Sequence, residues 1–148
     1  MTNDYPPVRR VVTGHGANKE AKVLINGPAT NKKHPRPGAV STLIWCTAET
    51  PADMSIGDNI EDMGARILGT APPPNGTRFT VNDIPPGTSG AMHRTETVDY
   101  VIVISGEIEM ETWTSRPSLR RRMVSTWRTA SPRRAIARRS VACSTRPA

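Results

Sequence analysis

Aromatic residues are scarce in this chain. It has one phenylalanine, two tyrosines and three tryptophans in 148 residues, 4% of the total, and only 36% of the residues are apolar. Both values are low for a compact fold, so any core must be small. No apolar run approaches the roughly 20 residues of a membrane-spanning helix, which predicts no membrane partner. The N-terminal MTNDYPPVRR has no apolar stretch of the kind a secretory leader needs. A soluble, cytoplasmic protein is the expectation. Two cysteines, Cys46 and Cys143, give neither a disulfide framework nor a zinc pattern. Long amphipathic helices are also missing. Fourteen prolines and eleven glycines punctuate the chain instead, which favours short elements joined by turns.

Charge of one sign is missing from one region only. Residues 1–111 carry all 13 acids and ten of the 20 basic residues, a net charge of −3. Residues 112–148 carry ten arginines, no lysine and no acid, a net charge of +10. The overall +7 therefore belongs to the tail. No strand or helix period in the tail survives more than a few residues, and its dense like charge cannot offset the entropy of ordering. Disorder is the expectation for 112–148.

Two origins fit such a tail. A basic arm would bind nucleic acid or another anionic surface through phosphate contacts. Translation in the wrong reading frame would also give arginine without lysine from GC-rich DNA, and this is the favoured account. The change falls where Ile108 and Met110 ask for a continued strand, whereas a domain boundary belongs in a linker. If the Thr112 codon ends in A, Thr-Trp-Thr contains Met-Asp in a neighbouring frame, which would continue the preceding strand.

What is present in residues 1–111 reads as β-structure. Strands are predicted over VRRVVT (8–13), AKVLING (21–27), VSTLIWCTAE (40–49), ARILGTAP (65–72), RFTVNDI (78–84) and VDYVIVIS (98–105). GHGANKE and APPPNGT are turns, and PATNKKHPRPG is a polar loop. Residues 50–64 form an acidic loop with one helical turn. Ser105-Gly106-Glu107 closes a hairpin whose return strand starts at Ile108. Six or seven short strands without a helix suggest an all-β sandwich or barrel.

The chemistry sits in PPGTSGAMHRTETVDYVIVISGEIEM, residues 85–110. On a continuous strand His93, Thr95, Asp99, Val101 and Val103 share one face, with Tyr100, Ile102 and Ile104 on the other. Polar groups at the mouth of an apolar pocket make a ligand site. Phe79 and Trp45 are read as core or pocket wall, and Arg78 as a partner for Asp99. His15 and His34 are read as solvated loop residues, and the acidic GDNIED run (57–62) as a solvated loop rather than a calcium site.

The spacing Gly87, His93, Thr95, Asp99, Gly106 resembles the first motif of the cupin family, Gly-x5-His-x-His-x3/4-Glu-x6-Gly. The likeness is specific over residues 78–111 and looser over 40–77. It implies a double-stranded β-helix, the jelly-roll barrel of the conserved-barrel cupins, incomplete at its C-terminus: a truncated cupin-like domain over 1–111 followed by the basic tail. It implies a homodimer, where the barrel is complete, and a small organic ligand lined by Thr95, Val101, Val103, Phe79 and Trp45. It also implies a divalent transition metal (Fe, Mn, Zn or Ni), with His93 and Asp99 as ligands. The sequence departs from the pattern, with Thr95 in the place of the second histidine and Asp99 in the place of the glutamate. The family's second motif, which supplies a further histidine, is absent, and His93 is the last histidine of the chain. The printed chain is therefore expected to be inactive. With a full barrel, a metal-dependent dioxygenase, isomerase or decarboxylase is the enzyme reading, and a metal-free ligand-binding or sensor cupin is the alternative.

Overall fold

A computed structural model describes residues 5–54, 60–112, 125–129 and 138–145, the stretches 109–112, 125–129 and 138–145 as backbone alone. Nine strands run in chain order: β1 Arg9–His15, β2 Ala21–Pro28, β3 Lys32–Lys33, β4 Val40–Thr47, β5 Thr77–Ile84, β6 Val98–Ser105, β7 Ile108–Thr112, β8 Ser125–Thr129 and β9 Arg138–Thr145. Among the described residues the one helical turn is a 3-10 turn at Met63–Ala65. The described residues are all-β, as the succession of short predicted strands suggests.

The strands form three sheets. β1 and β2 make an antiparallel hairpin, closed by Gly16 N donating to the Glu20 carbonyl at 3.0 Å. β3, β4, β5, β9 and β6 line up in that order, and β7 pairs with β8. The five-stranded sheet has edges at β3 and β6, so among the described residues the barrel is not closed.

Register sorts the side chains of the main sheet into two faces. Arg78 lies in line with Cys46 on β4 and Asp99 on β6, with Ser144 of β9 between. Asn82 faces Ser41, which in turn faces Lys33. Lys33, Ser41, Arg78, Thr80, Asn82, Asp99, Val101 and Val103 therefore share one face. Trp45, Phe79, Val81, Tyr100 and Ile102 belong to the other. The buried apolar centre is small, as the sparse aromatics require: Ala39, Val40, Leu43, Cys46 and Val81 with Tyr5 and Ala29.

A buried ion pair ties the first hairpin to the main sheet. Arg10, 9% exposed, donates through Nη1 to Asp62 Oδ1 at 2.7 Å and through Nη2 to Asp62 Oδ2. Its Nη1 also reaches the Ile44 carbonyl of β4 at 3.2 Å. Asp62 caps the 3-10 turn, accepting from Gly64 N at 2.9 Å. A Cβ on Gly64 would stand 1.9 Å from Arg10 Nη1, so only glycine leaves room for the guanidinium.

Three expectations are corrected. ARILGTAP is not a strand, because side chains take the carbonyls a ladder would use. Asn31 Nδ2 donates to the carbonyls of Gly64 and Arg66 at 3.1 and 2.8 Å, and Lys33 Nζ donates to that of Leu68. β6 and β7 do not form the expected hairpin, since β6 pairs with β9 and β7 with β8. The tail is also not without structure: β8 and β9 lie within it. Its backbone fills the open ladder between β5 and β6, which needs amide and carbonyl groups but no particular side chains. Half of the acidic GDNIED run, residues 57–59, lies outside the described residues.

Candidate functional site

The motif connector is built by two glycines. Gly87 and Gly106 have φ of +76° and +78°, the left-handed region that glycine enters without penalty. Strand β6 begins only at Val98, so His93 and Thr95 sit on the connector leading into it rather than on a continuous strand. Their alternation argument fails there, yet the connector curls back and brings them to the same place.

That place is a cavity of about 790 Å³ over the polar face of the main sheet. Its floor is Ser41, Thr80, Asn82 and Arg78. One wall is Lys33, His34 and the Gly69–Pro72 segment, and the other is His93 to Thr97 with Asp99. His93, Thr95 and Asp99, expected together from spacing, therefore line one cavity. Val101 and Val103 share the face of Asp99 further along β6 and do not line it, Val103 being 44% exposed. Phe79 and Trp45 are paired across β5 and β4 on the opposite face.

Lys33 and His34 are additions that the sequence reading placed in a polar loop. Their position depends on the pairing of β3 with β4, a two-residue ladder with no sequence period to announce it. Arg78, expected as a partner for Asp99, lines the cavity with it, but no ion pair joins the two. Its Nη1 donates to the Thr70 carbonyl, and its buried Nε has no hydrogen-bond partner. Burial pushes the Arg78 guanidinium below its ordinary range, because the charged form loses water.

His93 Nδ1 lies 2.9 Å from the Ala91 carbonyl and donates to it. A metal would need more than the connector offers. Among the described residues no group of three histidine, cysteine or acidic side chains converges to hold an ion. His93 and Asp99 supply two donors where transition-metal sites use three or four. The residues present do not fit the metal that the cupin resemblance implies.

No family model matches the chain. It is similar to two proteins of Diaporthe leptostromiformis, phomopsin biosynthesis cluster proteins C′ and D. Each is 34% identical over 71 residues, which is 46% of this chain and 37% of the relative. It is also similar to the cupin-domain-containing oxidoreductase srdD of Neurospora crassa, 33% identical over 76 residues, 49% of this chain and 36% of the relative. The matched stretch spans little more than a third of the length of these curated relatives. The last likeness supports a cupin relationship, which agrees with the all-β architecture. Among the described residues no helix is long and apolar enough to cross a membrane.

Proposed function

We propose that this chain is a cupin-type β-domain that binds a small organic molecule in the cavity over β3–β6. The observation that carries this reading is the convergence of hydrogen-bonding side chains from three separate segments on one concave space. Such a space, with a few fixed polar groups, is the ordinary form of a small-molecule site. One relative is named as an oxidoreductase and two for a biosynthesis cluster, and that likeness favours a metabolite-sized ligand over a macromolecule. The ligand is held by the protein's own donors and acceptors, and no step is assigned to a metal. Ligand-observed NMR with a panel of small organic molecules tests this. Thr95 is exposed at the rim, so Thr95→Trp is expected to fill the mouth and abolish binding while the fold persists. Unchanged binding by that variant would contradict the reading.

A second copy of the chain is the partner we infer for the other face of β6. Val98, Tyr100 and Ile102 are 57%, 65% and 64% exposed there, on an edge strand with an open ladder. Antiparallel pairing of two β6 strands about a two-fold axis would satisfy both open ladders and set the two apolar rows side by side. Sedimentation velocity checks this: a dimer is expected, converted to monomer by Tyr100→Glu.

A further inference from the structure

We propose that the cavity selects an organic carboxylate and that Arg78 is the residue that holds it. This rests on the small-molecule reading above and names the chemical class of its ligand.

The alternation of β5 places Arg78, Thr80 and Asn82 on the cavity floor, with Ser41 beside Asn82 and Lys33 beyond. All five side chains carry hydrogen-bond donors. Arg78 is the one with unmet demand. Arg78 is half-buried, and a guanidinium partly withdrawn from water is stabilised by a counter-charge. The structure supplies the Thr70 carbonyl to Nη1 and nothing to Nε. Lys33 differs, since its ammonium already donates to the Leu68 and Gly69 carbonyls of the wall. An anion entering beside Arg78 would provide the missing charge. A planar carboxylate matches the side-on fork of a guanidinium with two parallel hydrogen bonds, a geometry that an ammonium cannot offer.

The acids in the cavity set the ligand's direction. Asp99 stands in the row of Arg78 with one strand between, so their backbones are about 10 Å apart. Glu96 lies on the same side as Asp99. Arg94 lines that side too, so the formal charge there is −1 against +2 at the end of Lys33 and Arg78, and this asymmetry favours a ligand with a single carboxylate over a polyanion.

The test uses the full chain and three probes of one skeleton: butyrate, butyramide and butylammonium, with inorganic phosphate as a fourth. Titration followed by NMR is expected to show butyrate binding at least about tenfold more tightly than the other three, the scale of a charge-assisted hydrogen bond. Arg78→Gln is expected to remove that preference, and Arg78→Lys to restore only part of it. Should Arg78→Gln fail to fold, Asp99→Asn stands in: it removes a repelling charge and is expected to tighten butyrate binding about two- to fivefold. Butyramide, butylammonium or phosphate binding as tightly as butyrate would overturn the inference and leave the cavity reading intact. If no probe and no molecule of the wider panel binds, the cavity reading falls and takes this one with it.

Discussion

Strands on the two sides of Thr112 form for different reasons. β4 and β5 are dictated by their side chains. Val40, Thr42 and Val81 are buried on one face, Ser41 and Thr80 on the other, and the alternation is written in the sequence. β8 and β9 come from an arginine-rich stretch in which no strand period survives more than a few residues, yet β9 pairs with eight consecutive residues of β5 and with most of β6. The difference separates two properties of a sheet. Its faces are specific, because burial sorts side chains. Its edges are not, because every residue except proline offers the same donor and acceptor. An open ladder can take up a strand that no side-chain pattern announces.

The comparison is broken most severely by truncation after Thr112. β6 joins the main sheet only through β9, so its loss should separate β6 from β5 and abolish a single cooperative unfolding transition by circular dichroism. A truncated chain that unfolds as cooperatively as the full one would show that the tail adds nothing to the sheet.

Next in size is Asp62→Asn, on the side-chain-specified side of the molecule. It leaves Arg10 buried opposite a neutral group. Asp62 is itself 34% exposed, so the loss is discounted to about 2 kcal/mol in urea denaturation. The Arg10 guanidinium holds the Asp62 carboxyl below its ordinary value, with backbone donors at Gly64 and Ala65 adding to this. A depressed folded-state pKa means that the stabilisation is complete above the unfolded carboxylate range. It is lost as pH falls through the folded value. The gap between parent and Asp62→Asn should therefore be full at pH 6 and shrink in acid, below about pH 4.

Gly76→Ala should have a somewhat smaller effect. A Cβ there would stand 2.0 Å from the Thr47 carbonyl, so the Pro73–Gly76 turn must shift, at about 1–2 kcal/mol. Smallest of all is a shuffle of the order of residues 138–145. If β9 is held by its backbone, the unfolding free energy from urea denaturation should change by under about 1 kcal/mol, within the range of ordinary surface changes. A loss as large as that of Asp62→Asn would mean that β9 is specified by its side chains after all. Sequencing the encoding DNA sharpens the same contrast. A neighbouring frame after codon 111 that spells alternating strands with a Gly…Pro-x-Gly…His pattern is the outcome expected of a frame error.

Strands β2, β4, β5 and β6 were legible because β-branched runs and turn pairs bound them closely. The stretch after Met63 was not, because what keeps it out of a ladder are the distant donors Asn31 and Lys33, which no local pattern reveals. In the site, His93, Thr95 and Asp99, which the motif spacing grouped, line one cavity, although strand alternation holds only from Val98 onward. Phe79 and Trp45 were plausible walls by type and stand on the opposite face by register. Lys33 and His34 came into the cavity through a two-residue strand, and Arg10 is tied to Asp62, away from the cavity, by an ion pair that spans 52 residues of sequence. Contacts of that kind depend on pairing, which a single sequence does not display.

The three histidines of the chain report directly on whether the cavity is a binding site. Two line the cavity, His34 and His93, while His15 ends β1 away from it. In a two-dimensional NMR titration with a bound small molecule, the imidazole signals of His34 and His93 are expected to move together along one binding curve, with His15 unmoved. Movement of His15 alone, or of all three equally, would contradict the binding-site reading.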